Sequence, residues 1–285
     1  MKGILYITLA TLAFASADAI TKMTTEHNPV GVVVAVRYIV NVALLGAFLG
    51  PGLGAGLWRT ERTGLVFVRS LCLAAASLTA GLALRLMPVG EMVAIAYLAP
   101  FLVMLLAIPL LGEKVGGPQW LGVAAGFFGV LLIVRPGGGL DPVGVALSLV
   151  NAGFSTAYHL LTRLLARSEN TVALLFQTAL VGAVLFSVLA LGSLKDLHVT
   201  AVDIGLMVAL GALMTAGHFL FTAAYREAPA SLLAPVNYLH LFWAAGLGWL
   251  VFGHLPDSWS LVGIALICAA GALVAGWAYF AKAGR

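Results

Sequence analysis

The chain has 285 residues, 62% of them hydrophobic and 9% charged, with a formal net charge of +4. A soluble domain carries about 25% charged residues; a chain this apolar cannot keep its surface wet, so lipid is its expected solvent. Its positive charges are scattered between apolar stretches, which excludes a nucleic-acid footprint, and Cys72 and Cys268 lie inside apolar segments with neither metal-ligand nor disulfide-framework spacing.

Ten apolar runs follow one another, at roughly 3–22, 30–50, 64–84, 89–111, 118–135, 142–163, 170–192, 202–225, 230–253 and 258–280. Each is near the ~20 residues that a helix needs to cross a bilayer. Asn28-Pro29, Pro51-Gly52, Pro88, Gly116-Gly117-Pro118, Pro136-Gly137 and Pro256-Asp257 punctuate them. Lipid offers no partner for backbone N–H and C=O groups, so each run is expected to satisfy its own as a helix. The first run also imitates a secretory leader, with Lys2 ahead of it and Ala15-Ser16-Ala17 within it. We read it as a span, because it continues to about Lys22 and its Phe14 to Ala17 stretch has a counterpart at Phe154 to Ala157.

Cytoplasmic loops are richer in Lys and Arg. With the N-terminus inside, that side holds Lys2, Arg59, Arg62, Lys114, Arg163, Arg167, Arg226, Lys282 and Arg285. The other side holds Lys22, Arg85, Arg135 and Lys195, while Arg37 and Arg69 fall within spans. Both termini are therefore expected in the cytoplasm of a bacterial-type inner membrane.

The halves repeat. A shift of 141 residues brings Arg85 onto Arg226, Pro88 onto Pro229, Tyr97-Leu98 onto Tyr238-Leu239, Phe101 onto Phe242, Gly112 onto Gly253 and Gly122 onto Gly263. Near the start, a shift of 140 matches Phe14 to Phe154 and Ala17 to Ala157. The units are read as 3–136 and 141–281. Five spans per unit is an odd number, so the second must enter the membrane upside down relative to the first. Such inverted repeats hold their substrate at the repeat interface, near midplane.

The stretch Pro88, Tyr97-Leu98-Ala99-Pro100, Leu111-Gly112-Glu113, Gln119-Trp120-Leu121-Gly122, Gly129-Val130 and Val134-Arg135-Pro136-Gly137 resembles the end of an EamA domain, of the drug/metabolite transporter superfamily. The second half repeats it more weakly, with His254 opposite Glu113 and Leu241 opposite Pro100. The resemblance implies that spans 1, 3, 4, 6, 8 and 9 surround a central cavity, while spans 5 and 10 pack together behind it. Gly122-x-x-x-Gly126 in span 5, with Gly263, Ala270 and Gly271 in span 10, suits that packing.

There is no Walker A motif, no HExxH and no G-x-S-x-G. ATP drive, a cofactor, a metal and an enzymatic activity are accordingly not expected. Polar residues inside a membrane are costly and tend to face the bundle interior. Tyr97 and Phe101 stand one turn apart on span 4, and their mates Tyr238 and Phe242 do so on span 9. Both pairs are candidates for a cavity wall or for plain aromatic packing. Pro100 and Pro235 each free a carbonyl nearby. Tyr158, His159, His218, Asn237, His240, Trp243 and Thr79 extend the candidate set, the histidines as contacts or proton relays.

Asp18 lies about 22 Å along span 1. It is read either as an Asp18–Lys22 pair at the outer rim or as a carboxylate for a substrate ammonium or a coupling proton. Glu91 is read as a first-turn helix charge. Arg69 is expected to snorkel to water. Arg37 could hold a carboxylate in bidentate fashion, but span 2 is not implied to line the cavity, which favours a structural pairing. The candidate substrate site is thus Tyr97, Phe101, Tyr238, Phe242, His159, Tyr158, His218, Trp243, Thr79 and Asn237, with Asp18 and Arg37 for coupling or charge recognition. The expected function is a secondary transporter that works as a monomer and exports small metabolites by alternating access. Within the superfamily the chain most resembles YddG-type exporters, which implies aromatic amino acids; other metabolites or lipophilic cations are the alternative, and a channel or scaffold the rival from another class.

Overall fold

The computed structural model describes residues 2–111, 117–135, 139–165, 168–193, 199–227, 233 and 236–283. Helix occupies all ten expected spans among these residues. The helices are α1 (Lys2–Thr25), α2 (Val30–Leu53), α3 (Thr63–Leu86), α4 (Val89–Ala96), α5 (Leu98–Leu111), α6 (Gly117–Val134), α7 (Pro142–Leu165), α8 (Thr171–Leu191), α9 (Ala201–Glu227), α10 (Leu239–Phe252) and α11 (Ser258–Ala283). Six stretches among them are both long and apolar enough to cross a membrane unaided. Pro136, Glu113, Lys114, Arg167, Lys195, Pro229 and Pro235 lie outside the described residues.

Helix starts are set by short-range chemistry. Pro29 and Pro88 stand immediately ahead of α2 and α4, where a missing N–H costs nothing. In the second half, side chains cap instead. Asp141 Oδ1 accepts from the Val143 and Gly144 N–H groups, Asn170 Oδ1 from Val172, and Asp257 Oδ1 from Ser260. Hydroxyls within spans turn inward on their own helix: Thr21, Thr156 and Thr178 each donate to the carbonyl four residues back, at 2.7–2.8 Å.

The expected span at 89–111 is interrupted at Tyr97, between α4 and α5. Pro100 has no N–H to give to the Ala96 carbonyl, and its ring crowds that turn. Tyr238, the mate of Tyr97, likewise occupies a turn just ahead of α10. Leu241 stands where Pro100 does, so the second break does not come from a proline at that position. Both lie deep in the fold, as in transporters whose discontinuous helices meet at midplane.

Packing follows an exchange of the two halves. The largest contacts are α1 with α9 and α3 with α7, which swap when the halves swap, then α6 with α11 and α2 with α8, which map onto themselves. The α6–α11 seam shows the register directly. A Cβ on Gly122 would strike Val274, and one on Gly263 would lie 2.8 Å from Ile133 Cγ1. These contacts are related by the 141-residue shift. Large apolar side chains point outward, with Phe48 77% and Leu250 72% exposed, as a lipid-facing surface requires.

Candidate functional site

A cavity of about 180 Å³ opens among α2, α3, α7, α8 and α9. Its deep end is polar: Arg37, Tyr38 and Asn41 of α2, Tyr158 of α7, Thr178 of α8, and Thr215 and His218 of α9. Leu45, Leu49, Leu73, Val172, Leu175 and Phe219 supply an apolar flank. It reaches Leu49 near the end of α2, Thr171 at the start of α8 and Thr222 toward the end of α9. These ends all lie on the side carrying the 54–62 connection, the side richer in Lys and Arg.

Arg69 corrects the sequence reading. It does not snorkel; it is 2% exposed. Its Nε donates to Thr162 Oγ1 at 2.7 Å, Nη1 to Thr178 Oγ1 at 2.7 Å and to the Leu174 carbonyl at 3.2 Å, and Nη2 to Tyr158 at 2.8 Å. The guanidinium also lies 4.4 Å from the Tyr158 ring centroid, a cation–π contact. Thus Arg69 clamps α3 to α7 and α8 and fixes two side chains of the cavity wall.

Arg37 is the second correction, because α2 does line the cavity. It packs on α8 and α9, and a charge at midspan is tolerated where it meets a polar hollow rather than lipid. The guanidinium sits 4.9 Å from the Tyr38 ring centroid, with Nη2 3.5 Å from Ser77 Oγ. Its Nε is buried without a hydrogen-bond partner. The Asn41 side chain contacts Thr215 Oγ1 at 2.9 Å, and with its amide turned to match its neighbours it donates to the Gly211 carbonyl at 2.8 Å.

A second cluster surrounds the two helix breaks. The Tyr97 and Tyr238 rings lie 5.2 Å apart, and Tyr97 OH donates to the Asn237 carbonyl at 2.9 Å. His240 stacks at a tilt 5.8 Å from Tyr97, and its Nε2 is 3.0 Å from Asp18 Oδ2. The Asp18–Lys22 pairing expected at the rim is therefore absent: Lys22 Nζ instead donates to the Leu84 and Met87 carbonyls, at 2.8 and 3.0 Å, capping the end of α3. Phe14 joins the two clusters, its ring 5.1 Å from His218 and 6.2 Å from His240. It rests against Gly217, where a Cβ would lie 2.6 Å from Phe14 Cε1.

Arg37, Tyr158 and His218 thus meet at the cavity, and Tyr97, Tyr238, Asn237 and Asp18 at the breaks. The remaining candidates do not line the cavity. Phe101 is buried against Gly126 of α6, whereas Phe242 is 59% exposed. The shift explains the difference: Ile267 stands opposite Gly126 and leaves no slot for Phe242. Thr79 Oγ1 donates to Ala75 and Ala76 of its own helix. His159 is exposed, edge-on to Tyr158 at 5.3 Å. Trp243 packs on the core with Nε1 buried and unpartnered. Phe14, Asn41, Arg69, Thr178, Thr215 and Thr222 were missed; Asn41 and Arg69 carried the one usable signal, a polar group deep in an apolar run.

The opposite end carries polar ties around a second hollow lined by Lys22, Met87, Gly248, Phe252 and His254. Besides Lys22, Glu91 corrects its reading as a simple helix charge: it is 2% exposed, and its Oε1 lies 3.1 Å from His254 Nε2. Arg135 at the end of α6 pairs with Asp257 ahead of α11 at 2.8 Å. The hydrogen bond from Arg135, with a second from the Ser260 N–H, holds the Asp257 carboxyl down at about 2. All three ties lie on the face away from the cavity mouth. The helices thus leave a polar-lined hollow toward one end of the bundle and are joined by polar ties at the other.

Comparison with known proteins agrees. The profile of the EamA-like transporter family matches residues 1–135 and 142–276. The pseudopaline exporter CntI of Pseudomonas aeruginosa (strain UCBPP-PA14) is 24% identical over 269 residues, 94% of each chain. A riboflavin transporter of Rhizobium johnstonii is 29% identical, across 94% of this chain and 89% of its own. An S-adenosylmethionine uptake transporter of Rickettsia conorii is 23% identical over 75% of this chain and 72% of its own. A solved crystal structure, 21% identical, superposes over 94% of both chains with a TM-score of 0.67 and shares the fold. On the match of both halves, this multi-pass membrane protein belongs to the EamA-like transporter family.

Proposed function

We propose that this chain is a secondary transporter that exports a small amphipathic metabolite by alternating access, as a monomer. The observation that supports this reading is a cavity with polar and apolar lining toward one end of the bundle, while Lys22, Glu91–His254 and Arg135–Asp257 tie helices together at the other. The repeats 3–136 and 141–281 would rock about the α6–α11 seam, exchanging which end is tied. A channel needs a path open at both ends, and a passive scaffold needs no cavity with charge in it. Amino acids with an aromatic side chain are the substrates we favour, because the carboxylate suits Arg37 and the side chain suits the flank of Leu45, Leu73 and Phe219. Lipophilic cations fit poorly beside Arg37 and Arg69.

The test is flux in proteoliposomes of labelled phenylalanine, tryptophan and threonine, with and without a pH gradient. Saturable, ATP-independent flux that favours the aromatic substrates is expected. Flux that never saturates would point to a channel. Saturable flux restricted to other metabolites would sink the amino acid assignment and leave the carrier.

A further inference from the structure

We infer that the cavity recognises its ligand by one anionic group, held by Arg37, and offers no carboxylate to pair with an ammonium. This deepens the transporter reading and rests on it. Arg37 has a buried Nε without a partner, and its Nη2 has only a long contact, 3.5 Å, to the Ser77 hydroxyl. A guanidinium is a planar fork that grips a carboxylate through two parallel N–H groups, and this one has that capacity unspent at the cavity wall.

The surroundings decide the sign. No carboxylate lines the cavity among the described residues. Asp18 is engaged with His240, Glu91 with His254 and Asp257 with Arg135. Glu169, two residues before Thr171 in the chain, takes the Glu61 and Arg62 backbone N–H groups. Behind the wall, Arg69 adds a second buried cation. Its hydrogen bonds go to Thr162, Thr178, Tyr158 and the Leu174 carbonyl, all neutral, so its charge stays uncompensated. Desolvated charge of one sign is costly, and a ligand of opposite sign relieves it. An ammonium would meet two like charges and no carboxylate. The ligand class is therefore a monoanion, a carboxylate being the natural case, on a small apolar body; an amino acid would be read by its carboxylate alone.

The experiment compares matched acid, amino acid and amine on four skeletons (n-propyl, isobutyl, phenylethyl and indolylethyl) by calorimetric titration of the purified full-length chain. The phenylethyl trio is 3-phenylpropionate, phenylalanine and phenethylamine. On at least one skeleton the acid should bind within about threefold of the amino acid, and the amine at least about tenfold more weakly. Arg37→Gln should weaken the acid by about 10–100-fold, the range for a charge-assisted hydrogen bond, and Arg37→Lys by less, with unfolding temperature monitored for both. Binding of no acid, binding of an amine as tight as its acid, or acid binding unchanged in a folded R37Q would each overturn the assignment. Saturable proteoliposome flux of amines or neutral solutes, with no acid bound, would remove the anion site and leave the transporter. Acid binding lost in R37Q, with no flux of any probe, would keep the site and overturn the transporter reading.

Discussion

Adding one methyl group at Gly129 tests whether the α6–α11 seam is as close as it looks. A Cβ there would lie 2.7 Å from the Gly263 carbonyl oxygen and 2.7 Å from Ile267 Cγ1, where ordinary contact starts at 3.4 Å. The shortfall is 3.4 − 2.7 = 0.7 Å, and one of the two neighbours is backbone, which cannot rotate away. Overpacking of this kind costs about 1–3 kcal/mol. Replacing a mid-helix glycine returns about 0.5–1 kcal/mol, so the middle of each range leaves a net loss of about 1 kcal/mol. At about 2–4 °C per kcal/mol for a large chain, Gly129→Ala should lower the unfolding temperature in detergent by about 2–4 °C. Gly263→Ala should do the same, and the double variant should lose less than the sum, because a seam opened for one methyl admits the other. Gly153→Ala, which meets nothing within 4 Å, is the control and should be neutral or slightly stabilising. If G129A and G153A melt alike, the seam is not in backbone contact and the packing argument fails.

Further perturbations probe the two polar clusters and the closed end. Tyr97→Ala and Tyr238→Ala should insert and fold yet lose transport, while Tyr97→Phe, which gives up the hydrogen bond to the Asn237 carbonyl, should cost about 0.5–1.5 kcal/mol of stability and keep most flux; wild-type kinetics in both alanine variants would take the tyrosines out of the mechanism. Asp18→Asn replaces the carboxylate hydrogen-bonded to His240, so the pH profile of transport should change shape; an unaltered profile would make Asp18 purely structural. Asp257 carries a depressed carboxyl, so its contribution is complete above the ordinary value of 3.8 and fades as pH falls through about 2. Asp257→Asn should therefore melt below wild type at neutral pH, with the gap closing from pH 4 to pH 2; a gap constant over that window would refute the pairing with Arg135.

The sequence exposed what depends on local pattern. The ten apolar runs and the small-residue packing of Gly122 and Gly263 in the α6–α11 seam follow from span length, punctuation and a fixed register, whereas the breaks at Tyr97 and Tyr238 did not show in the apolar pattern. What stayed hidden depends on which helix faces which. Arg69 and Thr178 are 109 positions apart and hydrogen-bonded; Asp18 and His240 are 222 apart. Lys22 sits one turn from Asp18, which made a local pair look natural, yet the unpaired carbonyls at the end of α3 hold it instead. The Tyr97/Phe101 face failed for another reason: α4 and α5 are separate helices, so the one-turn rule does not carry across the break. Phe101 follows the slot at Gly126, while Phe242, with Ile267 in place of that glycine, stays 59% exposed.

The seam also bears on ancestry. Contacts that exchange under the 141-residue shift are those two copies of a five-span protein would make as a self-complementary homodimer. In such a dimer every substitution happens twice, so interior arginines equivalent to Arg37 and Arg69 would occur in duplicate and crowd the axis with like charge. Joining two such copies into one polypeptide removes that constraint. It lets a cationic hollow form in one place only, so that a two-fold shell can carry a one-sided interior.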